Sequence, residues 1–161
     1  TAAGDYPIMA VQAMTSIIKS VETSTKEVFN KSSEVDKSSD VVLTDSLLFS
    51  AIRLAEFADA QVIVGITDSG YTAHQIAKYR PEAKIVMYTR NKELITRLNL
   101  IWGVTAYYYD MQGTIDDMIA DVTADLKSKG VVNSGDVMVN TATLPHDSRD
   151  HANMVKVSKV G

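Results

Sequence analysis

The 161-residue chain has no cysteine, which excludes a disulfide framework, a thiolate nucleophile and a zinc site with cysteine ligands. This absence fits a reducing compartment, and we expect a cytoplasmic location. Basic residues are not in excess, because 16 Lys and Arg stand against 20 Asp and Glu and the formal net charge is −4. The composition therefore argues against a nucleic acid or an anionic membrane as partner.

Long apolar runs are also missing. The longest uncharged stretches, such as residues 61–67, fall far below the roughly 20 residues that a membrane-spanning helix needs. The first five residues lack the basic start and apolar stretch of a signal peptide, and they lack an initiator Met. We therefore expect a processed chain or a piece of a longer protein. Its 45% hydrophobic and 22% charged residues are typical of one globular domain.

The hydrophobic pattern changes its period along the chain. Apolar residues at a spacing of three and four predict a helix from Pro7 through Val21, followed by a serine-rich loop over 30–40 and a helix that Thr44 caps. Strands are predicted at 62–66, 84–88, 104–108, 136–141 and 153–160, and helices at 73–79, 91–101 and 113–129. This alternation predicts an α/β fold with three layers (α/β/α): a five-stranded, mostly parallel sheet with one antiparallel edge strand.

Polar residues that suit a phosphate follow the first predicted strand and lead into a helix. They are Thr67, Asp68, Ser69, Gly70, Tyr71 and Thr72. Three hydroxyls and a glycine at a helix start form a plausible phosphate cradle at the carboxyl end of a parallel strand. The alternative is that Ser69 or Thr72 only caps the helix. The segment is neither a Walker loop nor the dinucleotide motif Gly-x-Gly-x-x-Gly.

The remaining candidates for chemistry give weaker signals. His74 fits a surface or packing position on the next helix, and an enzyme that uses Ser69 and His74 lacks a third, orienting group. His146 and His151 lie five residues apart without a third ligand, so we predict no metal site. Trp102 fits a core or interface anchor, since its surroundings are not basic.

Several ordered motifs resemble the C-terminal domain of pyruvate kinases. Residues 67–81 resemble that family's Thr-x-Ser/Thr-Gly-x-Ser/Thr-Ala stretch, which is followed by Tyr-Arg-Pro, here Tyr79-Arg80-Pro81. Further matches are Thr89-Arg90-Asn91, Gly103-Val104, Gly135-Asp136-Val137 and Asn153 with Val155 and Val157. Gly4-Asp5-Tyr6-Pro7 is similar to the end of the family's catalytic barrel. The resemblance spans essentially the whole chain.

The resemblance implies that residues 1–20 are the tail of the barrel with a lead-in helix, and that residues 21–161 are the regulatory domain. Pyruvate kinase transfers phosphoryl from phosphoenolpyruvate to ADP in its barrel with Mg²⁺ and usually K⁺. Because this chain lacks the barrel, we expect neither catalytic residues nor a metal or cofactor in it, and no activity by itself. The implied partners are the barrel of the same chain, a phosphorylated effector and further subunits of a homotetramer.

By position, the implied effector phosphate lies on Thr67, Ser69, Gly70 and Thr72, with Asp68 and Tyr71 on the same loop. A lid over 144–151 would add His146, Arg149 and His151. Members activated by sugar bisphosphates often have Lys or another donor at the position of Asp68 and an Arg at that of Met118, so these two residues weaken the match to such an effector. The rival hypothesis is a stand-alone phosphate sensor or scaffolding module without a barrel, which the upstream sequence would distinguish.

Overall fold

The computed structural model describes residues 4–24, 35–38, 40–110, 112–144 and 151–161. Five helices and five strands are present in these ranges. They are α1 (Pro7–Ser24), α2 (Val42–Phe57), β1 (Val62–Ile66), α3 (Tyr71–Lys78), β2 (Lys84–Thr89), α4 (Lys92–Leu98), β3 (Val104–Tyr108), α5 (Ile115–Ser128), β4 (Val137–Ala142) and β5 (Met154–Lys159).

The strands form one sheet in the order β3-β2-β1-β4-β5. The first four strands are parallel, and β5 pairs antiparallel with β4, so the predicted topology is confirmed. From β1 the chain moves outward to β2 and β3, and it then returns to place β4 on the other side of β1. The carboxyl ends of β1 and β4 therefore flank the point at which the strand order reverses.

Helices cover both faces of this sheet. On one face, α2, α3 and α4 pack against Ile63 and Met87, and Leu48 and Leu98 are fully buried there. On the other face, α5 packs against Val62 and neighbouring residues of the sheet. Because β1 is buried on both sides, it needs an apolar residue at nearly every position, which explains its uncharged run.

Several predicted helix boundaries were wrong. The second helix begins at Val42 rather than Thr44, and its N-cap position makes no side-chain hydrogen bond, so Thr44 is not its cap. The third begins at Tyr71 rather than residue 73. The fourth ends at Leu98 rather than residue 101, because the chain then turns towards β3, and the Asn99 side chain accepts a hydrogen bond from the Ala106 N–H. Residues 30–34 and 39 of the predicted serine-rich loop lie outside the described residues.

Helix α1 exposes most of its apolar side chains. More than half of the side-chain surface is exposed at Ile8, Met9, Val11, Met14, Ile17, Ile18 and Val21. Near its carboxyl end, the helix contacts the rest of the domain through Glu22, which accepts a hydrogen bond from Trp102 Nε1 (2.8 Å) and lies 3.7 Å from the Arg80 guanidinium. Arg80 also lies 4.9 Å from the centre of the Trp102 ring. Trp102 is thus an anchor, as predicted.

Membrane insertion has no support from the described helices, since none of them combines the length and apolarity needed to cross a bilayer.

Two leucines near the end of α4 allow a matched test of the core. Leu98 is completely buried, whereas Leu100 is 86% exposed. We expect Leu98→Ala to lower the free energy of unfolding by about 2–5 kcal/mol, because it removes buried apolar contacts and leaves a cavity. Leu100→Ala should stay within about 0.5 kcal/mol of the parent chain. Urea denaturation followed by circular dichroism measures both, and equal losses would contradict the placement of α4.

Candidate functional site

The Thr67–Thr72 loop lies where the topology of the sheet favours a ligand. It follows β1 and leads into α3, so it occupies one side of the reversal point between β1 and β4. Open parallel sheets bind ligands at this position, because the loops after the two diverging strands leave a crevice between them. The described residues of the segment after β4, 143–144 and 151–153, lie on the other side.

Gly70 shapes the turn from β1 into α3. It is the N-cap residue of α3 and has a left-handed backbone with φ of +84°, which a glycine adopts without a steric penalty. The Thr67 hydroxyl accepts a hydrogen bond from the Gly70 N–H at 2.9 Å. The Ser69 hydroxyl accepts one from the Tyr71 N–H at 3.3 Å. Neither Ser69 nor Thr72 is therefore the N-cap residue, although Ser69 supports the first turn.

The hydroxyls of the loop differ in their exposure. Ser69 is exposed beside Asp68, whereas Thr67 and Thr72 are more than nine-tenths buried. A hydroxyl that accepts a hydrogen bond still has its own hydrogen to donate. Ser69 is therefore the loop hydroxyl best placed to donate to a ligand from solvent, and Thr67 acts mainly on the backbone.

Arg90 lies beside the loop and was missed as a site residue by sequence reasoning. Its Nη2 and Nε donate to the two carboxylate oxygens of Asp68 at 2.8 and 3.2 Å. These hydrogen bonds raise the pKa of Arg90 further above its usual value, so the guanidinium stays charged. Arg90 directly follows β2, the parallel neighbour of β1. This position at the carboxyl end of a strand is the sequence feature that could have identified it as a site residue.

Tyr71 is held by side chains from two helices. Its hydroxyl donates to Asp45 Oδ1 of α2 at 2.5 Å and accepts from Gln75 Nε2 at 3.0 Å. Burial, together with the hydrogen bond to Asp45, raises the pKa of Tyr71 to about 12. The phenol is therefore neutral and fixed at neutral pH, so Tyr71 offers a ring surface rather than a free donor.

The segment after β4 reaches the loop through one of its three predicted residues. The His151 ring lies 4.7 Å from the Tyr71 ring, centre to centre. His146 and Arg149 lie outside the described residues. The Asn153 side chain closes the base of the segment, because it accepts from the Leu144 N–H and donates to the Leu144 carbonyl, both at 2.7 Å. Met118 is fully buried and His74 is exposed.

A metal site has no support in the part of the chain that the structure describes. No three His, Asp or Glu side chains converge there in a way that would hold an ion. The chemistry of the loop is instead that of hydrogen-bond donors at a helix start.

Two glycines with left-handed backbones allow a test of the loop geometry. A Cβ at Gly70 would lie 3.1 Å from Leu98 Cδ2 and 3.2 Å from Leu94 Cδ1, whereas a Cβ at Gly130 (φ +65°) would meet nothing within 4 Å. Both substitutions to Ala should cost about 1–2 kcal/mol for the backbone. We expect Gly70→Ala to destabilise the chain more, because it also crowds α4. Urea denaturation compares the two, and a larger loss for Gly130→Ala would contradict this packing.

Comparison with known proteins places this geometry in a family. The family model described as "Pyruvate kinase, alpha/beta domain" matches residues 45–158. The pyruvate kinase of Geobacillus stearothermophilus is 37% identical over 98% of this chain. That of Lactobacillus delbrueckii subsp. bulgaricus is 31% identical over 100% of this chain. The chain spans 27% and 28% of these relatives.

A solved structure leads to the same family. The crystal structure of Cryptosporidium parvum pyruvate kinase superposes with a TM-score of 0.65 at 26% identity, over 76% of this chain and 23% of that one. Together with the family match over most of the sheet and its helices, this likeness shows that the chain belongs to the pyruvate kinase family.

Proposed function

We propose that this chain is the regulatory and oligomerising C-terminal domain of a pyruvate kinase, and that it binds a phosphorylated small-molecule effector. The observation that carries this proposal is the position of the Thr67–Thr72 loop, which joins β1 to α3 at the reversal point of the sheet. A loop at this point places the amino end of a helix towards the ligand.

The loop would bind a phosphate through complementary charge and hydrogen bonding. Backbone N–H groups at the start of α3 and the positive end of the helix dipole attract an anion. The exposed Ser69 hydroxyl adds a donor. Asp68 alone would repel a phosphate, but Arg90 compensates its charge across a bidentate ion pair. The ring surface of Tyr71 and His151 would then border the rest of the effector.

The parent enzyme would supply the catalysis. In it, phosphoryl transfer from phosphoenolpyruvate to ADP, a step of glycolysis, would take place in a cytoplasmic protein whose barrel holds Mg²⁺ and K⁺. Residues 1–20 would form the tail of that barrel with the lead-in helix, and residues 21–161 the regulatory domain. The chain by itself would not transfer phosphoryl. An effector would act on the parent by binding one subunit arrangement more tightly than another.

Calorimetric titration tests the effector site. Sugar monophosphates, sugar bisphosphates and nucleoside monophosphates are titrated into the 161-residue chain, and we expect at least one class to bind. Ser69→Ala should weaken that binding by about 10- to 100-fold, because it removes a hydrogen bond to a charged group worth about 1.5–3 kcal/mol.

Ser50→Ala is the matched control. The Ser50 hydroxyl bonds the Ser46 carbonyl within α2, so its loss should leave phosphate affinity unchanged. If none of the three classes binds, or if Ser69→Ala binds as tightly as the parent chain, the effector role is wrong and the loop has only a structural role.

In the parent, the barrel would lie against the lead-in helix α1, so the isolated 161-residue chain leaves the apolar row of α1 exposed. A row of this kind typically marks a surface that another protein surface covers. We expect the chain to self-associate in sedimentation-velocity experiments. Ile17→Glu should weaken that association by at least about tenfold, because a carboxylate would be buried in an apolar contact. Gln12→Glu, also on α1, is the control and should have little effect. A chain that stays monomeric, or an unaffected Ile17→Glu variant, would contradict self-association through α1.

A further inference from the structure

A cavity lies at the opposite end of the parallel strands from the Thr67–Thr72 loop. Its volume is about 400 Å³, and its walls are the second half of α2 and the residues that connect α2 to β1 and α3 to β2. Pockets of this size accommodate small organic ligands. The cavity shares no residue with the proposed effector loop, so its function is an independent question.

The interior of the cavity is apolar and partly aromatic. Phe49, Ile52, Tyr79 and Ala83 line it. The rings of Phe49 and Tyr79 lie 5.2 Å apart, centre to centre, at a tilt of 56°. Such a surface suits a compact apolar group. The Phe49 ring also attracts a cation, whereas the Tyr79 ring already has the Lys78 ammonium 5.6 Å from its centre.

The basic side chains that line the cavity are already engaged. Arg53 pairs with Glu56 at 2.6 Å. Arg80 lies against Glu22 and the Trp102 ring. Nζ of the third basic residue, Lys84, donates at 3.4 Å to the backbone carbonyl of residue 131. Carboxylates therefore compensate the charges of Arg53 and Arg80, whereas Lys84 keeps its positive charge, because a backbone carbonyl is neutral.

Two acidic side chains of the cavity are not engaged in this way. Asp59 and Glu82 are both exposed, and neither forms an ion pair with another described residue. Helices α2 and α3 both end beside them, at Phe57 and Lys78, and a helix carboxyl end carries partial negative charge. The field in the cavity therefore favours a cation.

The backbone at the rim of the cavity has a left-handed conformation at two residues. Asp59 (φ +46°) and Arg80 (φ +47°) are the two non-glycine residues with positive φ in the described part of the chain, and both line the cavity. Each follows the end of a helix, where glycine is the usual residue. A left-handed residue is a common way for a helix to end, and here this turn places the Asp59 carboxylate at the rim.

We infer that this cavity binds a small organic cation, with an ammonium or guanidinium group near Asp59 and Glu82 and an aromatic or branched aliphatic body on Phe49 and Tyr79. Recognition rests on the free carboxylates, the two helix ends and the ring faces together. An anion of the same shape is disfavoured, because Arg53 and Arg80 are paired with carboxylates and the two free carboxylates outweigh the single charge of Lys84.

Three probes of similar size test this assignment on the 161-residue chain: 2-phenylethylammonium, the neutral 2-phenylethanol and the anionic 3-phenylpropanoate. Heteronuclear NMR titrations at constant ionic strength follow the amides of Ala60 and Ala83, which line the cavity. We expect the ammonium compound to bind most tightly and the carboxylate least tightly. Asp59→Asn should weaken the binding of the ammonium compound by about three- to fivefold, as for loss of one exposed ion pair. It should leave the binding of the alcohol unchanged.

Asn tolerates a left-handed backbone, so Asp59→Asn keeps the shape of the rim. Glu93→Gln on α4 removes one negative charge at the carboxyl end of the sheet and is the control, with no expected change. The assignment is overturned if the carboxylate binds as tightly as the ammonium compound. It is also overturned if no probe shifts the cavity amides at millimolar concentration, or if Asp59→Asn binds the ammonium compound like the parent chain.

Discussion

The structure depends on burying β1 on both faces. Ile63 points into the layer of α2, α3 and α4, while Val62 and Val64 point into the layer of α5. A strand with no wet face needs helices on both sides and a parallel neighbour on each edge, and β2 and β4 supply those edges. The chain can supply both neighbours only by reversing its direction across the sheet. The reversal places the Thr67–Thr72 loop at the carboxyl end of β1, beside β4.

The parallel arrangement also makes the two ends of the sheet chemically different. At the carboxyl end of the strands, α3 begins at a hydroxyl loop, the surface that we propose binds an anion. At the amino end, α2 and α3 finish near Asp59 and Glu82, where we propose that a cation binds. Both preferences follow from the common direction of the helix dipoles relative to the sheet. One fold thereby presents two surfaces of opposite character.

The side chains around the loop are held by residues from another helix and from the end of a neighbouring strand. Thr67 holds the Gly70 N–H, and Asp45 of α2 holds the Tyr71 hydroxyl. Arg90, from the end of β2, compensates Asp68. These bonds hold the loop and its charges in place before any ligand binds, which reduces the ordering that binding would otherwise require.

The predicted helix starts were wrong where several neighbouring residues could each begin the helix. Thr44 is a good capping residue by type, yet α2 begins at Val42. Helix α3 begins at Tyr71 because Gly70 turns the backbone and Thr67 holds the Gly70 N–H, so the polar residues that suggested a longer loop are partly helical. Thr114 and Asp117 form a capping box at the start of α5, and this pattern is readable in the sequence, but the prediction placed the start at Gly113.

The sequence by itself determined the strands, their alternation with helices, the antiparallel edge and the position of the loop after β1. These features follow from periodicity and from residues that are close along the chain. Only the tertiary structure decided that Arg90 meets Asp68 22 residues away, that Asp45 meets Tyr71 26 residues away, and that two helix ends enclose a cavity. Such contacts depend on strand register and helix placement, which arise from packing the whole sheet rather than from any local pattern.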